Sequence, residues 1–290
     1  MQRNIRKFAH NIFYNVKLNR FFPFEMVGDL ISWVEIIIKF RIQRISNNLF
    51  LIRHVRSNTQ IYFPFKKINR SIWTQLRFMD QQNGYFDHMK KKYLYTDFEI
   101  PSNWTIVDCG SYVGGFSISI SKDHSGKIYC VEPSPSNFEA LRKNIELFSA
   151  TNNIDIFNYG FGETNMIADM SISGSGQDDS LLGVDDSGDD ISQIVKVEIK
   201  RFDQFADEKG IDLDKCFLKL EAEGYEIEAI KGLGVCKPLV ISVDISAERL
   251  GESPLQEVSN QLRSIGYDLI ETNLDKGEPV TLLAFRKQIL

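Results

Sequence analysis

The stretch Trp104 to Ser117, WTIVDCGSYVGGFS, constrains this chain more than any other. Ile106 and Val107 form a short apolar run that ends in Asp108, a carboxylate at the tip of an expected strand. Gly110, Gly114 and Gly115 follow at once, and Phe116, Ile118 and Ile120 then lead into an expected helix. A strand, a glycine turn and a helix start together make a ligand cradle. Glycine lets backbone approach a ligand, and a helix N-terminus offers unpaired N–H groups.

From Pro101 onward the pattern is regular. Short apolar strands are expected at Thr105–Asp108, Lys127–Val131, Ile154–Phe157, Phe217–Leu220 and Leu239–Val243, with an alternating strand at Ile194–Ile199. Helices are expected at Phe116–Lys122, Ser136–Phe148, Ile227–Lys231 and Leu255–Ile265. Strands Tyr267–Glu271 and Thr281–Phe285 close the chain as an antiparallel hairpin around Asp275-Lys276-Gly277. Such alternation predicts an α/β fold with a mostly parallel sheet covered on both faces. Ser171–Ser192, rich in Gly, Ser and Asp, reads as a loop. It lacks the D-x-D-x-D-G order of a calcium loop, and its place between strands also suits a lid over a substrate.

Residues 1–95 hold 17 Lys+Arg against 5 Asp+Glu, and residues 96–290 hold 17 against 34. This reversal sets a boundary near residue 95, between a basic, mainly helical N-terminal appendage (1–95) and the regular domain (96–290). In the appendage, Val27, Leu30, Ile31, Val34 and Ile38 follow helical spacing, while Trp33, Ile36 and Phe40 make a second apolar face. The helix packs over the main sheet or lies on a membrane surface, with Arg41, Arg44, Arg53 and Arg56 beside it. Glu25, Asp29 and Glu35 argue against a membrane span in Phe21–Phe40, and no signal peptide is evident. Ile61–Phe65, with Pro64, reads as a short edge strand, and Lys90-Lys91-Lys92 as a solvated face. Cys109, Cys130, Cys216 and Cys236 form no C-x-x-C pair and read as free thiols in a reducing, cytoplasmic compartment, without a metal site.

Acidic residues recur at strand ends: Asp108, Glu132, Glu221 and Asp244. That edge of an open α/β sheet is where ligands bind. Glu132 lies at the right distance after Asp108 to accept hydrogen bonds from a ribose diol. The spacing D-x-G-x-x-x-G-G is not the pyrophosphate fingerprint G-x-G-x-x-G. A carboxylate inside the turn repels a pyrophosphate but can receive the ammonium of a methionine moiety. S-adenosylmethionine, with its ammonium, ribose and sulfonium, is therefore the expected cofactor.

The segments Asp108-Cys-Gly-Ser-Tyr-Val-Gly, Val131-Glu-Pro-Ser-Pro-Ser-Asn-Phe and Leu218-Lys-Leu-Glu-Ala-Glu-Gly-Tyr-Glu resemble the motifs of FkbM-type methyltransferases, over about Trp104 to Phe285. The resemblance implies the class I Rossmann-like methyltransferase fold, with a seven-stranded sheet, and O-methylation, often of sugar or polyketide hydroxyls. It also implies that Asp108, Gly110, Ser111 and Gly114 line the methionine part, that Glu132 holds the ribose, and that Asn158 and Gly160 lie near the adenine. Lys219, Glu221, Glu223, Gly224 and Glu226 carry its most distinctive motif. Three positions depart from the pattern: Ser111-Tyr112 stands for Ala-Asn, Glu221 for Asp, and Val243-Asp244-Ile245 where Glu followed by His is frequent.

The sulfonium is already activated, so the protein has only to align an acceptor oxygen and remove its proton. Lys219, Glu221 and Glu223 are the candidate catalytic residues, and either carboxylate can serve as base. Glu221 and Glu223 share one face if their strand continues that far. A metal on these carboxylates needs oxygen ligands from elsewhere. His10, His54, His88 and His124 sit in no motif, although His88 can reach the site from the appendage. The expected acceptor is a glycan, glycolipid or other small hydroxylated molecule, with peripheral membrane contact through the appendage. Two rivals remain: a module that keeps the fold without turnover, and an RNA methyltransferase. The second lacks the N/D-P-P-[YF] motif of amino-nitrogen methylation.

Overall fold

The computed structural model describes residues 38–65, 72–82, 84–94, 98–148, 153–173, 179–182, 193–249, 251–275 and 278–287. Three strands come first: β1 (Phe40–Ser46), β2 (Leu49–His54) and β3 (Gln60–Phe63), antiparallel and in that order across a small sheet. Helices α1 (Ile72–Met79) and α2 (Gly84–Tyr93) follow. The described part of residues 1–95 is therefore part sheet, not mainly helical as expected. The cause is local: Ser46 pairs with Leu49 across Asn47-Asn48, residues suited to a two-residue hairpin turn. The edge strand expected at Ile61–Phe65 is β3, which ends before Pro64. Most of the helical pattern at Phe21–Phe40 lies outside the described residues.

The main sheet is built from β4 (Thr105–Cys109), β5 (Ile128–Val131) and β6 (Ile154–Phe157), followed in the chain by a second small sheet of β7 (Gly160–Phe161), β8 (Met166–Ile172) and β9 (Gln193–Lys200). The chain returns to the main sheet with β10 (Cys216–Leu220), β11 (Val240–Asp244), β12 (Tyr267–Asp275) and β13 (Glu278–Arg286). Its order is β12-β13-β11-β10-β4-β5-β6, parallel except for β13, which runs antiparallel to both neighbours. This is the seven-stranded, mostly parallel arrangement expected above. Helices α3 (Gly115–Ser121), α4 (Pro135–Leu147), α5 (Phe202–Lys209), α6 (Glu226–Lys231) and α7 (Leu255–Ser264) lie between these strands, with a short 3-10 turn at Leu213–Lys215. The order reverses at β4, which lies between β5 and β10, and ligands of open sheets bind at such a switch point.

Every residue of β5, β10 and β11 is buried, Lys219, Ser242 and Asp244 included, as strands covered on both faces require. Val107, Leu218, Leu220, Ile241 and Val243 face a core shared with Phe205, Ile230 and Val258. Ile106, Phe217 and Val240 point the other way, toward Phe116, Leu141 and Ile145. The N-terminal sheet has no separate core. Phe63, Phe65, Leu76 and Tyr85 pack with Val113 and Ala140 of the main domain.

Asn144, fully buried on α4, fixes this junction. Its Oδ1 accepts from the Tyr62 N–H at 2.8 Å, and its Nδ2 donates to the carbonyls of Tyr62 and Val113, each at 2.9 Å. One amide thus continues the ladder of β3 and holds the loop before α3. Asn144→Ala strands those backbone groups and is expected to cost about 2–4 kcal/mol in urea unfolding.

Candidate functional site

At the C-terminal ends of β4, β5 and β10 lies a cavity of about 950 Å³. The turn after β4 forms one wall. Gly110 has φ +71°, and a Cβ there would stand 1.6 Å from the Glu221 carbonyl oxygen, so only glycine lets the turn lie against the end of β10. The N–H groups of Gly110 and Ser111 donate to the Val131 carbonyl at 2.9 and 3.2 Å, and Ser111 Oγ donates to the Asp108 carbonyl at 2.7 Å. Tyr112 is left-handed at φ +50°, an unusual state for a bulky residue. Its N–H donates to Glu132 at 2.9 Å and its ring lies 6.4 Å from Phe63, so the small N-terminal sheet supports the turn.

Asp108 stands behind this wall rather than on it. Fully buried, it accepts from Ser117 Oγ at 2.6 Å and pairs with Lys219 Nζ at 3.1 Å. Register explains the pair: Lys219 on β10 is the direct neighbour of Asp108 on β4. Lys219 also donates to the Gly110 carbonyl at 2.5 Å and pairs with Glu221 at 2.9 Å. Glu221 meets Lys92 Nζ at 2.6 Å, and Lys92 meets Asp244 at 2.7 Å. The result is a chain of alternating charges, Asp108–Lys219–Glu221–Lys92–Asp244, across the ends of three strands and α2. Burial works against the charge on both lysines, but Asp108 and Glu221 hold Lys219 above its ordinary value, and Asp244 and Glu221 do the same for Lys92. Burial likewise disfavours the Glu221 carboxylate, yet the two lysines keep it well below the usual range.

Glu132 lines the cavity at the end of β5 and is 4% exposed. It accepts from the N–H groups of Tyr112 and Ser134, at 2.9 and 3.0 Å, and from Asn137 Nδ2 at 3.3 Å. Burial nevertheless pushes its carboxyl up to about 8. Gly160 also lines the cavity, but Gly114 does not: it caps α3 from behind, with φ +84°. Asn158 is exposed and lies outside the cavity, its amide donating to the carbonyls of Glu132 and Pro133 at 2.8 and 3.1 Å.

Glu221 and Glu223 both line the cavity, although not by strand alternation. β10 ends at Leu220 and the chain turns, with Glu223 left-handed at φ +49°. Glu226 shapes this turn by accepting from the N–H groups of Ala222 and Gly224, at 2.7 and 3.3 Å. Burial, with Asp244 adding to it, raises the Glu226 carboxyl to about 7. The first part of the acidic segment docks here too. Asp179 is buried against Ser173 and lines the cavity, and Ser180 Oγ donates to the Glu223 carbonyl at 2.9 Å.

Lys92 is the cavity residue most clearly missed in the sequence, where it reads as one of three solvated lysines. Ser242 Oγ and Thr281 Oγ1 donate to the carbonyls of Tyr93 and Lys92, at 3.0 and 2.8 Å, and so dock the end of α2 on the sheet face. Lys91 keeps the expected role, exposed and paired with Asp87 at 2.8 Å. His88 reaches the cavity, as its position in the appendage allowed. Cys109 also lines it, but burial pushes its thiol up to about 12, which removes it as a thiolate nucleophile. All four cysteines are free, and among the described residues no group of three His, Cys, Asp or Glu is arranged to hold a metal ion.

Two outcomes are expected. Lys92→Met leaves Asp244 buried without its cation and should cost about 3 kcal/mol or more in urea unfolding. Glu132 acts through pH. Between 4.5, its ordinary value, and about 8, the folded protein keeps a proton that the unfolded chain releases, so its contribution to stability falls as pH rises across that window. Unfolding curves across this range should show a shallower fall for Glu132→Gln than for the native chain.

The family model described as "Methyltransferase FkbM domain" matches residues 108–269. Among solved structures, the chain is 14% identical to TYW2 from P. horikoshii in complex with MeSAdo, covering 93% of this chain and 97% of that one at a TM-score of 0.46. It is 11% identical to the magnesium protoporphyrin IX methyltransferase of Synechocystis PCC 6803 with bound SAM, covering 76% and 86% at 0.45. TYW2 from M. jannaschii in complex with AdoMet gives 14%, 84% and 88% at 0.42. No curated protein matches the chain. The matched span exceeds half of the 290 residues and runs from Asp108 through Glu132 to the Lys219–Glu226 turn, so the chain belongs to the FkbM methyltransferase family.

Proposed function

We propose that this methyltransferase binds S-adenosylmethionine in the cavity and methylates a hydroxyl oxygen of a glycan, glycolipid or other small hydroxylated acceptor. The observation that carries the reading is Glu132, a buried carboxyl at the end of the second strand that lines the cavity and is pushed up to about 8. With its proton kept, such a carboxyl can both donate to and accept from the hydroxyls of a ligand. Glu132 would hold the ribose, Gly110 and Ser111 the methionine part, and Gly160 the adenine side. Asp108 and Gly114 act from behind the wall by fixing the turn, and Asn158 by fixing the Glu132-Pro133 backbone.

When bound, the cofactor supplies a methyl group already activated on a sulfonium. The chain's own residues then have two tasks, to align the acceptor oxygen and to take its proton. Glu221 is a poor proton acceptor because Lys219 and Lys92 hold it ionised. It and Lys219 set the local field and anchor the turn. Glu223, on the turn that follows, takes the proton. Arg41 and Arg53 are exposed and directly opposed across β1 and β2, which supports an acceptor met at an anionic membrane surface. No helix among the described residues is long and apolar enough to cross a membrane.

Calorimetry with S-adenosylhomocysteine is expected to show one saturable site, lost in Asp108→Ala because Lys219 and Ser117 lose their common partner. Glu223→Gln should keep that affinity and lower kcat about 100-fold in transfer of a labelled methyl to a glycolipid extract. Absence of heat with the native chain would remove the cofactor assignment, and unchanged turnover in Glu223→Gln would remove the assigned base.

A further inference from the structure

We propose that Ser180 is a positioning residue for Glu223, and that residues 179–182 of the acidic segment belong to the transfer machinery. The proposal rests on the methyl-transfer reading above, with Glu223 as the base. Glu223 has φ +49° and Gly224 φ +90°, so the turn after β10 carries two positive-φ residues in succession. For glutamate that backbone is strained, and it persists only where its surroundings hold it. The holding groups can be named. Glu226 accepts from the Ala222 and Gly224 N–H groups. Arg249 Nη1 donates to the Gly224 carbonyl at 2.6 Å while its guanidinium pairs with Glu228 at 2.9 Å. Both act on the backbone on either side of Glu223. The Glu223 carbonyl itself accepts from Ser180 Oγ at 2.9 Å, across 43 residues of chain.

Ser180 is 6% exposed, and its own place is fixed from several sides. Its N–H donates to the Ser171 carbonyl at 3.0 Å, and its carbonyl accepts from the Ser171 N–H at 2.9 Å, a bridge to the end of β8. The Leu182 N–H donates to Ser180 Oγ at 3.1 Å, which leaves the hydroxyl proton to point at Glu223. Asp179 Oδ1 accepts from the Ser173 N–H at 2.7 Å and from its hydroxyl at 3.1 Å. Leu181 packs with Met170 and Ile172 and lines the cavity. This short piece is thus fastened to β8, and Ser180 passes its position on to the turn. The clamp is neutral: it fixes the backbone of the base without the charge that a lysine or arginine there would set beside the carboxylate. Proton transfer needs that carboxylate within hydrogen-bond reach of the acceptor hydroxyl. Displacing the turn should therefore lower turnover while the cofactor contacts at Glu132 and Gly110 stay as they are.

The test is a double-mutant cycle on the full chain. It is read as transfer of a labelled methyl from S-adenosylmethionine to a glycolipid extract, and as S-adenosylhomocysteine affinity by calorimetry. Ser180→Ala is expected to lower kcat about tenfold, with S-adenosylhomocysteine affinity and the KM for S-adenosylmethionine within about twofold of native. In a Glu223→Gln background the same substitution should change kcat by less than about twofold, because Ser180 acts through a carboxylate that is already gone. A merely structural role would instead add its loss to that of Glu223→Gln. Additive losses, unchanged kcat in Ser180→Ala, or loss of its S-adenosylhomocysteine affinity would each overturn the proposal and leave Glu223 as the base. Unchanged turnover in Glu223→Gln, or a native chain that transfers no methyl to the extract, would overturn the reading beneath it and the proposal together.

Discussion

The site depends on one buried cation, Lys219. An ammonium taken out of water costs several kcal/mol unless counter-charges and carbonyls surround it. Here Asp108, Glu221 and the Gly110 carbonyl do so, and each belongs to a different part of the site. Asp108 is the end of the first strand, Gly110 is the turn, and Glu221 opens the turn after β10. Moving any of them away leaves a charge unmatched in the interior. The precise course of the cradle is therefore an electrostatic requirement as much as a consequence of glycine.

The same logic extends to the N-terminal residues. Residues 1–95 and 96–290 carry opposite net charge, and α2 brings one lysine of the basic part between two carboxylates of the acidic part. Serine and threonine on the sheet hold the last turn of that helix in place. Residues of α1 and α2 thus line the cavity rather than decorating the domain. Phe78, Tyr85 and Tyr93 are among them, while Phe63 supports Tyr112 in a backbone state that the turn needs and tyrosine disfavours.

Burial made most of the main sheet legible. Strands such as Cys216–Leu220 and Val240–Asp244 are covered on both faces, so they appear as mostly apolar runs, interrupted by Lys219 and Ser242, with Glu221 just after the first and Asp244 closing the second. The cradle and Glu132 were legible for the same reason, because each follows such a run. Lys92 was not, since a lysine run looks alike whether its last member meets water or two carboxylates, and Thr281, which binds its carbonyl, lies 189 residues away. Asp179 was hidden in the same way, one buried acid within a segment whose composition says solvent. The strands Phe40–Ser46 and Leu49–His54 were obscured by the helical spacing just before them, although Asn47-Asn48 carried a turn signal. Glu223 was placed on the right edge for an incomplete reason: the strand stops first, and Glu226 organises the turn that presents it.

The docking of α2 on Ser242 and Thr281 also bears on how the molecule comes to exist. Its partners on the sheet emerge from the ribosome about 150 to 190 residues after the helix itself. Until β11 and β13 are made, Lys92 has no Asp244 and the end of α2 has no hydroxyls to cap it. Contacts this distant in sequence are slow to close. The cavity wall is consequently closed only once β13 has been made, and the nascent enzyme has no enclosed site before then.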